Sequence, residues 1–238
     1  MNNGLAMAKT PLRTLCFSLL MLTAASAWAD DNAPKNNTVA VGYYFVFYDV
    51  QARDLSGPFT PAGLGLNVRN LQTPYFSYYR RVVNHFGVEL AAGVPPLTKS
   101  EGKGPAYLGS VPYNGVVTST VRWFAPSLLF RYTLLDEGHW FHPYIAVGLN
   151  YVNFYNRNST PAGNAAAGGP TRIELPPSYG IAGNAGVSFS LADNFGVQLS
   201  YAASRVTTHL SAITGDVVRT SYISFNPQTI VLAATYSF

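Results

Sequence analysis

From about residue 39 to its end the chain alternates apolar and polar positions with a period of two. That is the signature of strands whose two faces meet different surroundings. Eight such runs can be read, at residues 39–50, 73–82, 86–94, 121–134, 143–155, 179–191, 195–205 and 222–238. The joins between them alternate in length. Val83-Asn84-His85, Leu135-Asp136-Glu137-Gly138-His139 and Ala192-Asp193-Asn194 are short and rich in residues that tolerate tight turns. The joins at 51–72, 95–120, 156–178 and 206–221 are long, and their Gly, Pro, Ser and Asn content reads as loop.

The last strand shows the two faces most clearly. Ile230, Leu232, Ala234, Tyr236 and Phe238 share one side, and Val231, Ala233, Thr235 and Ser237 the other. Strand seven repeats the division, with Phe195, Val197, Leu199 and Tyr201 opposite Gly196, Gln198, Ser200 and Ala202. An apolar outer face that ends in aromatic residues fits a lipid-facing band with an interfacial girdle. Only 11% of residues are charged and 14% are aromatic, whereas a soluble domain carries roughly 25% charged residues. The expected fold is all-β: an eight-stranded antiparallel transmembrane up-and-down β-barrel. Its short turns would lie in the periplasm and its long loops outside the cell.

The first residues follow another pattern. Lys9 and Arg13 precede an apolar stretch from Leu15 to Leu22, and Ala27-Trp28-Ala29 closes it as an A-x-A cleavage site. Residues 1–29 are therefore expected to be a cleaved secretory signal, with the barrel at 30–238. The apolar stretch is too short for a spanning helix, which needs about 20 residues. Cys16 lies inside that signal, so the expected mature chain has no thiol or disulfide chemistry. It would carry 13 basic against 11 acidic residues. So small an excess gives no footprint for nucleic acid.

Four segments together resemble the OmpW family, whose members include porin-like proteins for small hydrophobic molecules. They are Asn84-His85-Phe86-Gly87-Val88-Glu89-Leu90, Thr120-Val121-Arg122-Trp123-Phe124-Ala125-Pro126, Pro143-Tyr144-Ile145-Ala146-Val147-Gly148-Leu149, and Asn226-Pro227 with the strand to Tyr236-Ser237-Phe238. The aromatic-x-aromatic end at Tyr236 and Phe238 is similar to the outer-membrane assembly signal. The resemblance implies residence in the outer membrane of a Gram-negative cell and contact with its lipids and its barrel assembly machinery. It further implies a small hydrophobic ligand, lateral release into the membrane, and phage or bacteriocin recognition at the loops. Some positions depart from the family: Ala146 stands where it tends to have glycine, and the second loop begins Val94-Pro95-Pro96 without the usual Pro-Phe.

The inward list says what such a barrel could hold. An interior of eight strands is just wide enough for side chains or one slim ligand. Strand order places Val46, Tyr48, Trp123, Val152 and Phe154 in the extracellular half, with Leu129 near the middle. The same reasoning places Arg81, Glu89 and Arg131 on the periplasmic floor. An apolar mouth over a polar floor suits a pocket that accepts an apolar molecule and stops its descent. Glu89 and Arg131 are expected to pair across the lumen, where the pair satisfies buried charges. Pro74 and Pro126 are the candidates for a lateral gap, because each removes a ladder hydrogen bond.

Two other readings compete. A structural or adhesive barrel with a filled lumen, acting through its loops, would show the same alternation. An enzyme would need a nucleophile, a base and an orienting acid. His209-Leu210-Ser211 with Asp216 offers those residue types within a Ser/Thr-rich loop, and catalysis is not expected from it. Of His85, His139, His142 and His209 only His139 and His142 are close in sequence, at a turn beside Trp140 and Phe141 where interfacial anchoring explains them, so no metal site and no cofactor are expected.

Overall fold

The computed structural model describes residues 35–108, 111–136 and 138–238. The signal read at 1–29, with Cys16, lies outside the described residues. Along the chain come β1 (Asn37–Ala52), β2 (Gly65–Val68), β3 (Leu71–Val83), β4 (Phe86–Gly93) and β5 (Leu97–Lys103). The short β6 (Tyr107–Leu108) and β7 (Val111–Pro112) follow, then β8 (Val117–Phe124), β9 (Ser127–Thr133) and β10 (Phe141–Ser159). A helix of about two turns, α1 (Pro161–Ala167), leads to β11 (Thr171–Glu174) and β12 (Ser178–Ser190). The chain ends with β13 (Phe195–Ser204), β14 (Val206–Thr214) and β15 (Val217–Ser237).

Eight of these close a ring, every pair antiparallel: β1, β3, β4, β9, β10, β12, β13 and β15, with β15 returning to β1. The closing ladder is the longest, running from Thr38↔Ser237 to Ala52↔Ile223. Closure leaves no strand edge within the ring, which is what allows a sheet to sit in hydrocarbon with its backbone satisfied. Alternation along each strand sends Val41, Phe76, Leu128, Phe130, Ile145, Leu149 and Leu232 outward, where they form an exposed apolar band. Aromatic pairs mark its short-turn rim: Phe86 with Tyr132 at 4.9 Å, Phe195 with Tyr236 at 5.1 Å, and Trp140 with Phe189 at 5.5 Å. Tyr236 lies in the last ladder, and Phe238 follows the final residue of β15.

The short turns fall where the sequence puts them, with Asn84 in the left-handed region at φ 37° between β3 and β4. The long joins differ from the sequence reading. They are built largely of further sheet, not open loop. β8 extends the strand that continues as β9, and it pairs with the upper part of β10. β5 pairs with β8 and β2 with β5, while β14 forms a hairpin with β15 and carries β11. The segment after β1 is tied back to β15 through reciprocal backbone bonds of Ser56 and Thr220, 2.9 and 2.8 Å. The wall therefore continues well above the band as two wings. Their inner faces pack Ile173, Leu175, Val206, Leu210 and Ile223 into one apolar cluster with Val152 and Phe154.

Candidate functional site in the upper lumen

The interior divides into two levels. In the half nearer the short turns, the inward positions of β4, β9, β10 and β13 carry long polar or aromatic side chains that fill the space. Glu89, Tyr144 and Gln198 are among the most deeply buried side chains in the protein. Arg131 Nη1 lies 3.5 Å from Glu89 Oε2, and Arg131 Nη2 donates to Ser188 Oγ at 3.0 Å. The Tyr75 hydroxyl donates to Glu89 Oε1 at 3.1 Å. The Arg131 guanidinium also lies over the rings of Tyr144, at 3.4 Å, and Tyr79, at 4.6 Å. Two buried charges are thus compensated by each other, by hydroxyls and by ring faces, as burial at this depth demands. Gly186 makes this packing possible: a Cβ there would run into the Tyr144 hydroxyl at 2.8 Å and the Ser200 side chain at 2.5 Å.

Above this floor the inward positions become small, and space opens. A cavity of about 150 Å³ is lined by Val46, Tyr48, Trp123, Leu129, Val152 and Phe154. The six upper-lumen candidates of the sequence are therefore brought together around one void. Glu89 and Arg131 pair below it, and Arg81 stands apart from them, half-buried near the turn end of β3. Ala91, Ala92, Ala125, Ala182, Ala202 and Ala203 all line it. Ala91, Ala182 and Ala202, in phase with Glu89, Asn184 and Gln198 on their strands, place methyl groups where the floor has longer side chains.

Several lining residues were not picked out by sequence reasoning. Tyr44 and Tyr75 meet edge to face at 5.9 Å on the inner sides of β1 and β3. Val206, Leu175 and Phe225 come from the wings. Their signal was present: Val206, Thr208 and Leu210 continue the period of two beyond the point where composition suggested loop. Two amides, Asn150 and Asn184, also face the cavity. Asn150 Nδ2 donates to Ser127 Oγ at 2.8 Å and faces the carbonyls of Ala125 and Pro126 at 3.4 Å each.

The wall beside the cavity is interrupted at one place. The β4–β9 ladder runs up to Ala91↔Ser127, and pairing resumes between β5 and β8 at Leu97↔Arg122. Between these points residues 92–96 face residues 123–126 with no register pair among the described residues. Ala91 and Ala92 on one side and Trp123 and Ala125 on the other line the cavity, so it reaches this interruption. The cause is local. The Val94 N–H is given to Pro74 O at 2.9 Å, toward β3. Backbone groups alternate sides along a strand, so the donor facing β8 and β9 should come from residue 95, which is proline and has none. Its carbonyl is taken instead by Arg122 Nη1 at 3.0 Å.

Pro126 borders the same interruption, with its carbonyl turned to β10, where Tyr151 N donates at 3.0 Å. Pro74 is elsewhere. It pairs with Tyr43 in an unbroken ladder and accepts from Val94, so the interruption does not fall at that position. His209, placed in a loop by the sequence, is on β14 with its ring outward against Tyr222 at 4.9 Å. Asp216 stands in the turn after β14.

The sequence profile of the OmpW family matches residues 39–238. Outer membrane protein W of Vibrio cholerae is 26% identical over 113 residues, which cover 48% of this chain and 51% of that protein. Outer membrane protein W of Escherichia coli is 24% identical over 174 residues, covering 73% and 76% respectively. Among solved structures, the outer membrane protein OprG of Pseudomonas aeruginosa superimposes with a TM-score of 0.73 at 19% identity, over 85% of this chain and 96% of that one. The outer membrane protein AlkL, determined in lipid bilayers, gives a TM-score of 0.63 at 18% identity, over 88% and 94%. A closed eight-stranded ring, an apolar outer band and a profile match across nearly the whole barrel agree: this is a bacterial outer-membrane β-barrel, and the chain belongs to the OmpW family.

Proposed function

We propose that the barrel takes up small apolar molecules. They enter the upper lumen from the extracellular side, are stopped by the polar floor, and leave sideways where the wall is interrupted. The observation that carries this reading is the apolar cavity of about 150 Å³ lying directly beside the unpaired residues 92–96 and 123–126. A conduit for water or ions would want polar lining throughout. Here Val, Ala, Leu, Phe and Trp dominate the lining above, with scattered hydroxyls and two amides, and the charged pair Glu89–Arg131 lies below. An apolar solute gains by leaving water for the upper lumen and would lose by displacing the compensated charges of the floor. The lower-cost exit is toward lipid.

Uptake of a labelled small alkane or aromatic into intact cells tests this, with wild type compared against Trp123→Arg. Uptake that needs the protein and collapses in the variant is expected, because a guanidinium in the cavity removes its apolar character. Equal uptake with wild type, with the variant and without the protein, despite correct insertion, would favour a structural or adhesive barrel acting through its extracellular segments.

A further inference from the structure

The cavity is mostly apolar, with hydroxyls and two amides among its lining, and one of these amides has an oxygen with nothing to accept. Asn150 is on the inner face of β10, nine-tenths or more buried, with Oδ1 lacking any hydrogen-bond partner. Its orientation is settled by its surroundings. Nδ2 points at the Ala125 and Pro126 carbonyls and Ser127 Oγ, and carbonyls can only accept. Turning the amide over would set its oxygen against those carbonyls. The free atom is therefore the acceptor. Asn150 lines the cavity and pairs in register with Ser127, the β9 residue at which the β4–β9 ladder stops.

We propose that the cavity selects small apolar molecules bearing a hydroxyl over bare hydrocarbons of the same size, with Asn150 Oδ1 accepting the ligand's O–H. The inference rests on the uptake reading above and adds the chemical class of the cargo. A void of about 150 Å³ is the size that holds one benzene-like body. A hydrocarbon in it would leave the Asn150 oxygen stripped of water and unpaired, which a hydroxylated aromatic would not. The amide donor is already committed to the wall, so a ligand with only an acceptor gains nothing there. Asn184 Oδ1 and the Tyr48 hydroxyl also lack partners, on residues that line the cavity. Asn184 is four residues from Gly180, the β12 residue paired with Asn150, and so sits nearer the floor.

The test titrates phenol, toluene and anisole into the full chain reconstituted in lipid bicelles. The reporter is the Trp123 indole N–H resonance, whose donor is held by Thr98 Oγ1 at 2.8 Å beside the cavity. Phenol and toluene have nearly the same shape, and anisole keeps the oxygen but has no donor. Wild type is expected to bind phenol at least as tightly as toluene, although toluene is the more hydrophobic, and to bind anisole more weakly than phenol. Asn150→Leu should weaken phenol about fivefold and leave toluene within about twofold, as loss of a single hydrogen bond implies. Loosening of the wall by that variant would move both ligands together and leave their ratio unchanged.

Toluene preferred in wild type, with a ratio indifferent to Asn150→Leu, would overturn the proposal and leave hydrophobic uptake standing. So would collapse of the ratio in Asn184→Leu or Tyr48→Phe alone. If none of the three compounds moves the Trp123 resonance, the uptake reading itself fails.

Discussion

The two levels of the lumen are built from the same strands, with the same antiparallel pairing and the same alternation, yet one is filled and the other hollow. Over the lower level the β4–β9 ladder is unbroken, and long side chains from facing strands meet in the middle. Over the upper level alanines replace them, and the ladder lapses beside Pro95. The contrast teaches that barrel size does not decide whether a small barrel is a plug or a vessel. Residue volume at alternate positions decides it, and the register pairing of the wall lapses beside the hollow level, where Pro95 and Pro126 lie.

The largest expected effect is on the filled level. Glu89→Leu alone leaves the Arg131 guanidinium buried without its carboxylate, and should destabilise the barrel by about 3–5 kcal/mol. Replacing both partners, as Glu89→Leu with Arg131→Met, should recover most of that loss, because a well-packed apolar pair has no charge to desolvate. Urea unfolding of the lipid-reconstituted protein would measure both. If the single variant were as stable as wild type, the floor would be hydrated and the contrast between the levels would not hold.

The hollow level should respond in transport more than in stability. Ala182→Phe puts a ring into the cavity from β12, where residue 182 is buried. Uptake is expected to fall about tenfold, equivalent to roughly 1.4 kcal/mol, if the void is the path. Overpacking should cost about 1–3 kcal/mol of stability at most. Pro95→Val sharpens the comparison further by restoring an N–H on the side that faces β8 and β9. It should extend pairing across residues 92–96 and slow release about threefold, in proportion to one added ladder hydrogen bond. Unchanged uptake in Pro95→Val would move the exit away from this interruption.

How far these features were legible in the sequence follows from their physics. The ring of eight and the outward band were readable, because a period of two is imposed on every membrane-spanning strand by lipid on one side. The six cavity residues were readable for the same reason, once strand order assigned heights. Glu89 and Arg131 could be paired because Glu89 is the one acid read on the floor, and a carboxylate in a narrow lumen needs a cation facing it. The wings were readable only in part: Val206, Thr208 and Leu210 keep the period of two, but the Gly, Pro, Ser and Thr around them serve equally in turns and in solvent-exposed sheet. That is why Val206 and Leu210 were missed as an inner face. Of the two prolines read as candidates for a gap, Pro126 borders the interruption and Pro74 does not, because a proline in sequence does not say which side its missing donor would have faced. That side depends on Val94, whose N–H goes to Pro74. Asn150 carried no signal at all, since only the committed Nδ2 reveals that the oxygen is free.

The smallest expected effect separates the inner from the outer face of one wing strand. On β14, Leu210 is buried in the apolar cluster above the cavity, while His209 next to it turns outward onto the Tyr222 ring. Ser211, two residues from His209, lies on the same face and pairs in register with Thr220 and Glu174. Neither side chain lines the cavity. His209→Ala and Ser211→Ala should therefore each stay within about 0.5 kcal/mol of wild type in unfolding, as surface substitutions usually do. Uptake should be unchanged in both. A hydrolytic role for the His-x-Ser pair predicts the opposite: product formation from an ester probe that both substitutions abolish while the barrel stays folded. Measuring ester turnover and hydrocarbon uptake on the same two variants decides whether the outer face of this wing is scaffold or chemistry, because only the second makes the effect of His209 larger than that of an ordinary exposed side chain.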